Sequence, residues 1–141
     1  MALHILKLCV GCESVEHLAD WQRERAPDWP GGLPRHVTRM WPKRGDEVLA
    51  GGSLYWIIKG QVTVRQRILH LEPVTGEDGI RRCALVLDPL LVRTEPAPRR
   101  PFQGWRYLAP ADAPRDLPAF RAGDDVLPPE LAEALAEFGL R

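Results

Sequence analysis

Residues 53–71, SLYWIIKGQVTVRQRILHL, decide the fold. Leu54, Trp56 and Ile58 alternate with their neighbours, and beyond Gly60 the alternation resumes with Val62, Val64 and Ile68. A period of two puts these side chains on one face of an extended chain. Gly60 is either the turn of a hairpin or a bend or bulge in one long, curved strand. Residues 72–79 (EPVTGEDG) form a turn, and residues 80–87 (IRRCALVL) pair back across it. Asp88 and Pro89 break the chain, and residues 90–94 make another strand. Residues 95–101 (EPAPRRP) read as an extended polyproline-like crossing, and residues 102–108 (FQGWRYL) as the last strand.

Upstream, residues 3–10 (LHILKLCV) are apolar on both alternating faces, the mark of a strand buried on both sides. Ser14 offers an N-cap to a helix with Val15, Leu18, Ala19 and Gln22 on one face, ending near Arg25. Residues 27–34 (PDWPGGLP) are a loop, and residues 35–41, between two prolines, a short edge strand. Asp46 is placed to cap a short helix that Gly51 and Gly52 stop. A linker over residues 109–128 leads to a terminal helix, residues 129–138, with Leu131, Leu135 and Phe138 on one face. The expected fold is α+β, one domain over residues 1–141. Its sheet is antiparallel or mixed, with a small barrel as the curled alternative, and helices lie near both ends.

A length of 141 residues suits one domain, and 45% apolar with 27% charged residues is ordinary for a globular chain. No apolar run approaches the roughly 20 residues that span a bilayer, and residues 1–10, with Lys7 inside, do not read as a signal peptide. Three cysteines, an odd number, argue against a disulfide framework and for the reducing cytoplasm. The zero net charge hides a partition. Residues 35–106 carry 13 Lys/Arg against 7 Asp/Glu, while both flanks are acidic. A basic centre is a pattern of polyanion binders, although the pI near 6.9 argues against strong non-specific binding.

Cys9 and Cys12 form a C-x-x-C between a strand and a helix, where a helix N-terminus lowers a thiol pKa and makes a redox pair. The alternative is one buried strand cysteine plus one turn cysteine, since a thioredoxin-like fold needs a strand soon after the helix and a cis-proline loop. Zinc needs four ligands, or three plus water. Cys83 and the four histidines offer no paired spacing, so no metal and no cofactor are expected. There is no G-x-S-x-G, no G-x-G-x-x-G and no Walker A.

What remains is arginine interleaved with aromatics. Arg35, Arg39, Trp41, Lys43 and Arg44 form one cluster; Arg99, Arg100, Phe102, Trp105, Arg106 and Tyr107 form another. Arg65 and Arg67, two apart, share one side of their strand. Basic side chains beside exposed aromatics hold single-stranded nucleic acid by phosphate pairing and base stacking. The alternative puts the tryptophans in the core and closes the arginines in salt bridges.

The blocks HVTRMWPKR (36–44), GGSLYWIIKG (51–60), RCALVLDP (82–89) and RPFQGWRYL (100–108) resemble an alphaproteobacterial family, domain of unknown function 1489. The resemblance covers essentially the whole chain, and residues 100–108 are its most specific stretch. It implies a bacterial, cytoplasmic protein and no activity. A helix, a Gly-Gly stop, a strand ending in Lys-Gly and a run of short strands is also similar to the small barrels of the PUA/ASCH group, which often bind RNA or modified bases. That likeness is of fold.

Three readings follow. The first is an RNA- or nucleotide-binding module using Arg39, Lys43, Arg65, Arg67, Arg99, Arg100 and Arg106, with Trp41, Trp105 and Tyr107 as aromatic partners. The second is a protein-interaction or structural protein with salt-bridged arginines. The third is an enzyme on a small anionic substrate with His36 or His70 as base. No membrane partner is expected, and the oligomeric state is left open.

Overall fold

The computed structural model describes residues 2–100 and 102–117. Their elements are β1 (His4–Leu8), α1 (Val15–Arg25), β2 (Arg35–Thr38), α2 (Gly45–Leu49), β3 (Ser53–Ile58), β4 (Gln61–Thr75), β5 (Arg81–Leu87), β6 (Val92–Pro98) and β7 (Trp105–Leu108). The terminal helix expected over residues 129–138 lies outside the described residues.

Lys59 and Gly60 both have positive φ, 51° and 77°. Two such residues make the tight turn whose twist matches that of paired strands. Gly60 is therefore a hairpin turn, with Ile58 opposite Gln61, and β3 and β4 are two strands. Register shifts at Trp56/Ile57, Val62/Val64 and Ile68/His70 bend β4 along its length. It thereby pairs with β3 and β6 through its first half and with β5 through its second.

The seven strands form one mixed sheet in the order β2-β5-β4-β3-β1-β7, with β6 added on β4. Among the described residues only β1 and β3 run parallel; the chain passes through α1, β2 and α2 between them. The fold is α+β. The sheet is not closed, which corrects the barrel alternative: β2 and β7 remain as separate ends.

Every residue of β3 is buried, because both faces of the sheet are covered. Leu54, Trp56 and Ile58 join Ile5, Leu18 and Leu85 in the main core, while Tyr55 and Ile57 join Leu6, Val62 and Leu108 in a smaller one. Burying one such side chain fully stabilises by about 1.5–3 kcal/mol before entropy. Ser14 caps α1 as its sequence suggests, its side chain accepting from the backbone N–H of His17 at 3.1 Å.

Local expectations change: residues 72–75, read as the start of the turn over 72–79, belong to β4 and pair with β5. Arg44, not Asp46, is the N-cap residue of α2, and Asp46 lies in its first turn. Residues 95–98, read as a polyproline-like crossing, continue β6, because β4 offers them an edge. Cys9 and Cys12, expected to be reduced, are joined in a disulfide. An odd cysteine count excludes full pairing of the chain; it does not exclude a local pair with Cys83 left over.

Candidate functional site

The predicted basic residues separate into three places. Arg65 and Arg67 do share one side of β4, opposite the buried Val64, Gln66 and Ile68. Arg65, however, is committed: its Nε and Nη2 donate to the two carboxylate oxygens of Asp116, both at 2.7 Å, and its Nη1 to Ser53 Oγ at 3.0 Å. Asp116 arrives on the segment after β7, where Thr94 and Asp116 form an isolated bridge and Leu117 donates to the Arg93 carbonyl. The hydrogen bond from Arg65 holds the Asp116 carboxyl below its ordinary range. Arg65 is thus ion-paired. Arg67 is exposed.

Arg99, Arg100 and Arg106 meet. They line one cleft of about 380 Å3 with Leu6, Pro98, Phe102, Tyr107, Leu108 and Asp112. β7 directs Arg106 away from the side that carries Trp105 and Tyr107, and its guanidinium lies 4.3 Å from the centre of the Phe102 ring. Arg99 is fixed by its backbone, which donates to the Gly60 carbonyl at the β3–β4 turn. None of the three forms an ion pair among the described residues; Asp112 is the one carboxylate in the wall.

Arg39 and Trp41 line a second cleft of about 370 Å3, together with Arg81 and Arg82. The Arg81 guanidinium lies 5.6 Å from the Trp41 ring centre, and Arg82 is held by Asp78 at 2.8 Å. Sequence reasoning missed Arg81. Only the antiparallel pairing of β2 with β5, which sets Thr38 opposite Cys83, brings it beside the loop after β2. Lys43 is exposed on the same loop and does not line that cleft.

Two of the three predicted aromatics are held by hydrogen bonds to the loop after β2. Trp105 is buried and donates its indole N–H to the Met40 carbonyl at 2.9 Å. Tyr107 is half-buried; its hydroxyl accepts from the Arg44 backbone N–H at 3.0 Å. Trp41 alone is exposed, at 39%.

A third cavity, of about 360 Å3 and mainly apolar, opens where β1 runs into α1. Its wall includes Cys9, Cys12, His17, Trp21, His36 and Trp56. His36 packs edge-on to Trp56 with ring centres 5.4 Å apart, and its Nε2 is buried without a hydrogen-bond partner among the described residues. Burial, and then the charge of Lys7, push its pKa down to about 4, so the ring is neutral at pH 7. His70, the other base considered, is exposed on β4. No helix among the described residues is long and apolar enough to cross a membrane.

The chain belongs to the family described as protein of unknown function DUF1489, whose sequence profile matches residues 5–141. No curated protein and no solved structure matches it.

Proposed function

Starting from membership of this family, whose description names no activity, we propose that the chain is a cytoplasmic module that binds RNA or nucleotides. The cleft of Arg99, Arg100 and Arg106 is its phosphate-recognising surface. One observation carries this reading: Arg99, Arg100 and Arg106, none of them in an ion pair among the described residues, line one cleft with Phe102, and the Arg106 guanidinium lies 4.3 Å from that ring's centre. Arginine forks suit phosphate oxygens, and a half-buried ring flanked by them suits the face of a base. The Arg39/Trp41/Arg81 cleft supports the same chemistry with an exposed indole. Arg65, tied to Asp116, serves the fold. The test is fluorescence anisotropy with a short single-stranded RNA and with a nucleoside monophosphate, over a salt series. Binding whose log–log salt slope falls by about one for each phosphate neutralised supports the reading. Absence of binding at low salt removes it.

A second reading rests on a different observation. Val37, Met40 and Trp41 are exposed apolar side chains on and just beyond β2, the strand at one end of the sheet. An exposed edge with apolar neighbours suits a partner protein that adds a strand. Self-association abolished by Val37→Lys would favour it.

A further inference from the structure

We propose that Cys9 and Cys12 form a reversible thiol–disulfide exchange site whose substrate, a small aromatic disulfide, sits in the cavity the two cysteines help to line. The pair is local and built by a turn: the Cys12 N–H donates to the Cys9 carbonyl at 3.3 Å, and Gly11 between them has φ +78°. Among the described residues nothing lies within 4 Å of the place a Gly11 side chain would take. The two cysteines are unequally exposed. Cys9 is buried in the main core, at 7% exposure, while Cys12 is half-buried against it at the head of α1. That asymmetry assigns Cys12 as the attacking thiol and Cys9 as the resolving one, since exchange follows access and thiolate character.

The surroundings fit the substrate class. Leu8, Leu18, Trp21 and Trp56 supply apolar and aromatic walls, and the volume of about 360 Å3 suits a small organic molecule. His17, in the first turn of α1, lines the same cavity, and its Nδ1 accepts from the Glu13 N–H at 3.1 Å. The unpartnered Nε2 of His36 offers one polar contact in the wall. Cys83 takes no part: it is buried in the core, and burial raises its thiol to about 11.

The chemistry balances as a two-electron exchange. In the reduced chain the Cys12 thiolate attacks one sulfur of the substrate R–S–S–R. The substrate S–S bond breaks, one RS− leaves and a Cys12–S–S–R mixed disulfide forms. The Cys9 thiolate then attacks the Cys12 sulfur, which closes the Cys9–Cys12 disulfide and expels the second RS−. The dithiol is oxidised, the substrate is reduced to two thiols, and the two cysteine protons end on them. A dithiol reductant runs the cycle back.

Dithiobis(nitrobenzoate), an aromatic disulfide whose thiol is coloured, serves as probe on the full chain, reduced with dithiothreitol and desalted. The folded wild-type chain is expected to release two coloured thiolates and retain no adduct by mass. Its rate saturates with probe concentration, because the cavity binds before exchange, and the urea-unfolded chain shows a linear dependence. Cys9→Ser is expected to release one thiolate and keep the adduct on Cys12, and Cys12→Ser to release none on that timescale. Should either variant fail to fold by circular dichroism, the wild-type mass and saturation decide. Retained adducts, equal reaction of the two variants, or a rate linear in probe for the folded chain would overturn the proposal.

Discussion

Trp105 on β7 donates its indole N–H to the carbonyl of Met40, which lies just beyond β2, so the two ends of the open sheet are tied by one hydrogen bond of 2.9 Å. The Arg44 N–H to Tyr107 Oη bond, 3.0 Å, repeats the tie one step along. The loop over residues 39–44 therefore spans the gap that a closed barrel would fill with a strand-to-strand ladder.

Trp105→Phe keeps an aromatic ring in the core but removes the donor, leaving the Met40 carbonyl without it. The expected loss is about 0.5–1.5 kcal/mol in urea unfolding, the net worth of one hydrogen bond, because Met40 is exposed and water can replace the donor. A loss below a few tenths would show that the loop does not depend on this bond.

Gln66 is the buried polar centre of β4. Its Oε1 accepts from Trp56 Nε1 (2.9 Å) and Gln22 Nε2 (2.8 Å), and its Nε2 donates to Gln22 Oε1 (2.9 Å) and the Asp88 carbonyl (3.0 Å). Gln66→Leu conserves volume and orphans four groups at once, so it is expected to destabilise by about 2–4 kcal/mol. Adding Gln22→Leu should recover part of that, because it removes two of the orphans; a double-mutant cycle by chemical denaturation measures the coupling.

The alternation of Val62, Val64 and Ile68 is enough to read β4, because a strand half-buried on one face writes its period into the sequence. Gln66 sits on that same parity, and its position, not its type, marks it as buried. In contrast β3, buried on both faces, shows as a continuous apolar run whose separation from β4 at Gly60 the pattern leaves open. What the sequence does not carry is pairing between distant segments. Arg65 and Asp116 are 51 residues apart, and no local pattern announces that one closes the other. For the same reason the parallel pairing of β1 with β3, and the placement of β7 beside β1, have no local signal. The convergence of Arg99, Arg100 and Arg106 is half legible: their proximity in sequence is plain, but the side of β7 that Arg106 takes depends on where the core lies.

His36 sets a pH dependence. Its ring titrates near 6.5 in an unfolded chain and at about 4 in the fold, chiefly through burial and secondarily through Lys7. A depressed folded pKa means that stability is fully present above about pH 6.5 and is lost as pH falls toward 4, by roughly 3 kcal/mol over the window. His36→Phe preserves the edge-on contact with Trp56 and should flatten the stability profile between pH 6.5 and 4. An unchanged profile would assign the dependence to other groups.

The Arg65–Asp116 pair is bidentate but partly exposed, the side chains being 24% and 44% accessible. A double-mutant cycle on Arg65→Gln and Asp116→Asn is expected to give a coupling of about 0.5–1 kcal/mol at neutral pH. Because the Asp116 carboxyl is held below its ordinary range, that coupling is present above the unfolded value of about 3.9 and disappears as pH falls below it. It should also shrink with salt.

The arginine cleft makes the sharpest contrast. Arg99, Arg100 and Arg106 line one wall, are exposed, and form no ion pair among the described residues, so their removal costs the fold little. Changing all three to alanine should leave the melting temperature nearly unchanged yet abolish salt-dependent binding of single-stranded RNA, the slope flattening by about one for each phosphate no longer neutralised. Phe102→Leu should weaken binding by about 1–3 kcal/mol for the stacked base while sparing the slope, since it removes a ring and no charge. Arg65→Gln should do the opposite, lowering stability and leaving the slope alone. If the triple variant binds as tightly as wild type while Arg39→Ala or Arg81→Ala does not, the Trp41 cleft is the binding site. If none of these changes alters binding, the arginines are solvated surface and the exposed edge at Val37 and Met40 becomes the place to look for a partner.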